Sequence, residues 1–241
     1  MSGFIIYRGP SMIDNKPIVV VAITKKSKNT KTGNVIQTYI LVDNGISPVD
    51  NYNSLADYSI CGDCPHRRGM GGGCYVNVGH GPNQIAKKIN RNGYEFSLEK
   101  ASEKCSGRTV RLGSYGDPAA VPIGMWEKLL EKSANHLGYT HQWRNKIAND
   151  HMKFCMASVD SEEERKEAKA LGYRTFRVRT EDEVLMDFEF VCPASSEAGK
   201  KMLCERCKAC SGGVDTNKGD PVIQVHGTWK KRFRQFALLP V

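Results

Sequence analysis

Apolar and polar positions along this chain change period several times, and the changes mark out its elements. Residues 17–24 and 35–42 are β-branched runs of strand length. Between them, residues 25–34 are basic and rich in turn formers, so 17–43 reads as an N-terminal β-hairpin with a long cationic tip. A Gly- and Pro-punctuated polar stretch follows from 44 to 57. A helix is predicted at 82–89, with Pro82 in the first turn, where its missing N–H does no harm. Residues 109–118 read as a strand running into a Gly-rich turn, and 123–137 as an amphipathic helix with Trp126, Leu129, Leu130 and Leu137 on one side, stopped by Gly138. A strand at 153–159 leads to a helix whose start, Ser161 followed three residues later by Glu164, is a capping box. Gly172 closes that helix, and strands are predicted at 174–179, 187–191 and 221–227.

This alternation predicts an α/β fold with parallel strands. Several strands end in a loop bearing a reactive side chain: Asp117, then Ser158 and Asp160, then Cys192, then His226. In a parallel barrel such ends gather on one rim, where sites of that fold are found. Asp117, His141, Asp160 and His226 are the candidate acid–base or ligand groups.

The densest chemistry lies in two cysteine runs. Cys204, Cys207 and Cys210 follow one another at intervals of three, so one tight turn of backbone can aim three thiolates at a common centre. Cys192 can supply a fourth from across eleven residues. Zinc sites are usually built from two separated knuckles of two ligands each, whereas here the knuckles share their middle cysteine. The spacing therefore favours a 4Fe-4S cluster on Cys192, Cys204, Cys207 and Cys210, with zinc as the alternative. Gly212 and Gly213 suit a ligand loop in which backbone runs close to an inorganic core. The second run holds Cys61, Cys64 and Cys74, with Gly71, Gly72 and Gly73 free to fold the chain back. His66, His80 or Cys105 can complete a second metal set there, or the two runs can share one centre.

Length and composition narrow the setting. The 241 residues suit a single α/β domain, and 40% hydrophobic with 25% charged residues is a folded composition. Nine cysteines cannot all pair, and the start of the chain lacks the pattern of a secretory signal, so free thiols in a reducing cytoplasm are expected. No apolar run approaches the ~20 residues that span a bilayer, so no membrane is expected. A net charge of +9 makes nucleic acid a candidate partner. The tail Trp229-Lys230-Lys231-Arg232-Phe233-Arg234 interleaves aromatic and basic residues, as on a base-stacking surface or on a strand with a solvated face.

A strand leading into Cys61-x2-Cys64-Pro65, the turn Gly113-Ser114-Tyr115-Gly116-Asp117-Pro118 and the strand–helix repeats together resemble a reduced radical-SAM-type partial barrel. With Gly138-Tyr139-Thr140-His141-Gln142-Trp143 and the Cys192 to Cys210 run, the chain also resembles small cysteine-rich proteins encoded by bacteriophages. The resemblance spans residues 59–227 and implies a TIM-barrel-like partial (βα) core with cysteine-rich metal loops, an iron–sulfur cluster and, for a phage protein, the host cytoplasm. Radical-SAM enzymes use a C-x3-C-x2-C loop that leaves one iron open to SAM. Cys61, Cys64 and Cys74 depart from that spacing, and a cluster held by all four cysteines from Cys192 to Cys210 keeps no iron free. The functions this combination suggests are binding or processing of nucleic acid, radical-SAM-like chemistry on a small molecule, or a structural zinc site.

Overall fold

The chain opens with β1 (Gly3–Pro10), which pairs antiparallel with β2 (Pro17–Ile23), and β2 pairs antiparallel with β3 (Ile36–Val42). The predicted hairpin is therefore the last two strands of a three-stranded meander. In a computed structural model of the protein, residues 3–25, 32–71, 73–199, 202–213, 218–226 and 230–237 are described, with 234–237 as backbone only. The centre of the cationic tip, 26–31, lies outside the described residues, as do Gly72, Gly227 and Trp229.

Helices α1 (Pro48–Asn53) and α2 (Tyr58–Cys61) follow. Residues 58–61 are thus a helical turn, and not the strand that the resemblance places before Cys61. The Ile60 and Cys61 N–H groups both donate to Asp57 O, and Ser59 Oγ donates to Asp14, which leaves this backbone nothing to offer a sheet. Next come α3 (Gly81–Ile89), β4 (Glu95–Phe96), α4 (Leu98–Cys105) and β5 (Thr109–Tyr115). The predicted long helix splits into α5 (Ile123–Leu130) and β6 (Asn135–Leu137). Met125, Trp126, Leu129 and Leu130 bury the apolar face of α5, and Trp126 Nε1 donates to Pro118 O. Beyond Leu130 the backbone is claimed by tertiary partners: Gly107 N donates to Lys132 O, Ala134 N donates to Arg108 O, and β6 pairs with β5. Leu137 keeps its burial on a strand instead of a helix.

The second half carries β7 (Tyr139–Thr140), β8 (Met156–Val159), α6 (Glu162–Ala170), β9 (Thr175–Arg179), β10 (Glu189–Val191), α7 (Cys204–Cys207), β11 (Asp220–Gln224) and α8 (Lys230–Ala237). Ser161 caps α6 by accepting from Glu164 N, while the Glu164 carboxylate accepts from Asp160 N.

The strands form a sheet of order β4-β1-β2-β3-β5-β6 and a second of order β10-β11-β9-β8-β7. All pairings from β3 to β5 and β6, and all in the second sheet, are parallel. Only Gly138 separates β6 from β7, so one segment serves both sheets. A Cβ at Gly138 would lie 2.8 Å from Cys155 Sγ, which is why a glycine stands at this crossing. The result is a mixed α/β architecture rich in parallel strands, and no closed barrel forms among the described residues. The main core lies between the first sheet and α3, α4 and α5. A smaller one joins Trp143, Ala157, Val159, Ala168 and Tyr173.

Candidate functional site

Parallel pairing puts the C-terminal ends of β5, β7, β8, β10 and β11 on one side, and Asp117, His141, Asp160, Cys192 and His226 follow those ends. A cavity of about 610 Å³ opens there, lined by four of these five, Asp160 excepted. Its walls add the thiols Cys61, Cys64, Cys74 and Cys204, the rings of Tyr115, Tyr139 and Phe176, and Arg111. Cavities of this size take small ligands or one residue of a larger one.

The first thiol group is held by a tightly bonded loop. Arg67, buried, donates from Nε and Nη2 to Asp57 and also to Gly62 O and Leu55 O. Gly62 adopts φ +52°, and a Cβ there would strike the Gln142 amide at 2.4 Å; that amide donates to Cys61 O. Cys74 N donates to His66 O at 3.1 Å, so the glycine run does fold the chain back and returns the third cysteine to the first two. Burial pushes the Cys61 and Cys64 thiols well up, and each also feels Cys74, so the three are electrostatic neighbours. The other proposed partners stand apart. His80 is exposed at the start of α3, and Cys105 lies in the apolar core, where burial pushes its thiol up to about 12.

The second group is assembled from β10, α7 and the turn after it. Cys192 N donates to Val222 O, which anchors the end of β10 to β11. Cys204 and Cys207 begin and end α7, and the Glu205 carboxylate between them accepts from Asn34 N at 2.6 Å, tying the loop to the hairpin. Cys210 is half-buried; desolvation pushes its thiol up to about 12, and it feels Cys192, Cys204 and Cys207 together. Its carbonyl accepts from Gly138 N. Gly212 has φ +68°, and a Cβ there would lie 2.6 Å from Cys155 N. Its freedom is thus spent docking the loop on the 152–155 backbone, whereas the sequence suggested room for an inorganic core.

Arg111 sits half-buried beside Cys204 and bonds to the Tyr75 hydroxyl; burial works against its charge, but Tyr75, Tyr139 and Cys204 around it hold the guanidinium above its usual range. A fixed positive charge next to a thiol favours the thiolate, the form that binds metal. Protonated thiols must release their protons to bind an ion, so buried groups of this kind couple metal affinity to pH.

Among the described residues, the trio of ligand atoms gathered within 4.8 Å of one another is His66, His141 and Asp160, rather than any three thiols. Zinc–sulfur bonds of about 2.3 Å would bring thiolates to roughly 3.8 Å of each other. Among the described residues no three thiol sulfurs lie within 4.8 Å of one another.

Sequence reasoning named His66, His141 and Asp160 separately but did not bring them together. His66 Nε2 lies 2.7 Å from Asp160 Oδ2 across ninety-four residues of chain, and no local pattern records that. The tail also differs from expectation. It is a helix, and Phe233 is 1% exposed with its ring stacked on His66 at 5.4 Å, so this ring is no base-stacking platform. Lys230, Lys231 and Arg232 are exposed. Among the described residues no helix is long and apolar enough to cross a membrane. No protein-family model, curated protein or solved structure matches the chain, so the functional argument rests on the geometry of the site.

Proposed function

We propose that the chain is an iron–sulfur enzyme acting on a substrate group held at the rim of a partial (βα) barrel. The observation that carries this reading is that two separate thiol groups reach one cavity at the ends of parallel strands: Cys61, Cys64 and Cys74 line it, and so do Cys192 and Cys204, with Cys207 and Cys210 electrostatic neighbours behind them. The donors fit a cluster: sulfur only, in two groups, and with Arg111 beside the second group to offset negative charge. Cys192, Cys204, Cys207 and Cys210 would hold a 4Fe-4S cluster, which supplies one-electron chemistry when bound. Cys61, Cys64 and Cys74 do not have the radical-SAM spacing, but as three protein ligands they would leave a fourth position of a bound cluster for a substrate such as SAM. Asp117 organises the rim. Its Oδ1 accepts from Ala119 N and Thr140 Oγ1, its Oδ2 from His141 N, and burial still pushes its carboxyl up to about 6.

Protein purified without oxygen is expected to be brown and to contain iron and sulfide. Cys207→Ser should remove the iron of the second group and leave that of the first. SAM cleavage to 5′-deoxyadenosine is expected to depend on Cys61, Cys64 and Cys74. Colourless, folded protein carrying stoichiometric zinc and no iron would replace this reading with the structural zinc site.

A second observation favours a nucleic-acid substrate. The exposed Lys230, Lys231 and Arg232 stand on the helix whose Phe233 lines the cavity, so a phosphate backbone on this helix would lie beside the opening. Fluorescence titration should show binding to DNA or RNA that weakens steeply with salt, and Lys230→Glu/Lys231→Glu should reduce it about tenfold or more at low salt. Equal binding by the variant and the parent chain would remove nucleic acid from the proposal.

A further inference from the structure

His66 belongs to the loop between Cys64 and Cys74, His141 follows β7, and Asp160 follows β8, so three distant segments meet at one point of the rim. One ligand atom from each lies within 4.8 Å of the other two. Metal–ligand bonds of about 2.0–2.2 Å place ligands around one ion roughly 3–4.4 Å apart, so the trio closes on a single cation once the 2.7 Å His66–Asp160 contact opens slightly. His66 Nε2 already pairs with Asp160 Oδ2 at 2.7 Å, so the openings lie on the other two residues. His141 Nε2 is buried without a hydrogen-bond partner among the described residues, and so is Asp160 Oδ1. Buried polar atoms are nearly always satisfied, and an orphan of this kind calls for an ion or a water. An ion shared by the three residues would give both orphans a partner at once.

The remaining contacts hold the ligands in place. A Cβ at Gly73 would sit 3.1 Å from His66 Nδ1, which puts that edge of the ring against the loop and turns Nε2 toward Asp160. Phe233 stacks on the ring within 18° of parallel, and the His141 ring meets it edge-on at 5.3 Å. Asp117 accepts from His141 N, and the Glu164 carboxylate accepts from Asp160 N, so the backbone of both other ligands is pinned. His66 and His141 both line the large cavity, so coordination positions not taken by protein face the substrate space.

We infer that His66, His141 and Asp160 form a mononuclear site for a divalent first-row transition ion, separate from both thiol groups and open to the same cavity. Two imidazoles and one carboxylate with free positions suit zinc or ferrous iron, and either would polarise an oxygen of a bound substrate or a water. The site shares no ligand with the cysteines, so it stands whether the thiols hold clusters or zinc.

Cobalt(II) is the probe, because nitrogen and oxygen ligation gives visible d–d bands without the thiolate charge-transfer absorption of cysteine sites. Titrating the full chain should reveal one equivalent of thiolate-free cobalt. His141→Gln and Asp160→Asn should each weaken it roughly 100-fold or more, while thiolate-bound cobalt is unchanged. Proton NMR of the cobalt-loaded parent protein supplies a reading that needs no variant: hyperfine-shifted resonances from two imidazole rings are expected. Cobalt bound only to thiolate, variants that bind as the parent does, or shifted signals from fewer than two rings would overturn the assignment.

Discussion

Glu189→Ala is expected to destabilise the protein by about 3–5 kcal/mol, the usual cost of stranding one member of a buried ion pair. Arg177 on β9 and Glu189 on β10 flank β11, and both side chains are 0% exposed. Arg177 Nε and Nη2 each reach a Glu189 oxygen at 2.8 Å, and Nη1 reaches Glu183 at 3.0 Å. Removing Glu189 leaves a buried guanidinium with only Glu183 and the Val184 carbonyl to face it. The paired replacement Arg177→Met/Glu189→Leu removes both charges and should be more stable than Glu189→Ala alone, because the cost lies in the unpaired charge and not in the absence of the bridge. Urea denaturation of the three proteins measures this directly. A Glu189→Ala loss under about 1 kcal/mol, the scale of a surface pair, would show that water reaches Arg177. The pair also matters for the site, since Cys192 directly follows β10, and iron retention should fall with stability.

Asp117→Ala should cost about 3–5 kcal/mol as well, by a different route. The carboxylate satisfies two backbone N–H groups and the Thr140 hydroxyl, all in buried surroundings. Each donor left without an acceptor costs about 1–3 kcal/mol. Thr140→Val removes one of these bonds together with its donor and takes the Thr140 Oγ1 acceptor from Gln142 N, so about 1–3 kcal/mol is expected. The contrast between the two substitutions identifies Asp117 as the knot that ties the end of β5 to the end of β7. Equal losses in both variants would place the weight on packing at Thr140 instead.

These two side chains illustrate where the fold is local and where it is not. Asp117 before Pro118 was visible as a turn residue, and its bond to Ala119 N is the short-range contact that such a turn makes. Its bonds to Thr140 and His141 depend on parallel strands lying side by side, which the chain order alone does not reveal. The same division runs through the helices. The Ser161 cap is a contact over three residues and was legible. The end of α5 was not, because its apolar period continues to Leu137 while the backbone beyond Leu130 bonds to residues 107–111.

By itself the sequence determined the alternation of strands and helices, the hairpin, and two cysteine loops whose spacing can turn thiols toward a common point. Those properties are written in periods and intervals of a few residues, within reach of local backbone geometry. The tertiary structure alone decided that both loops open on one cavity, that Phe233 packs inward on His66, and that His66 meets Asp160 and His141. Each of these joins segments far apart in the chain. They are selected by which strands pair and what those strands must bury, and no window along the sequence carries that information.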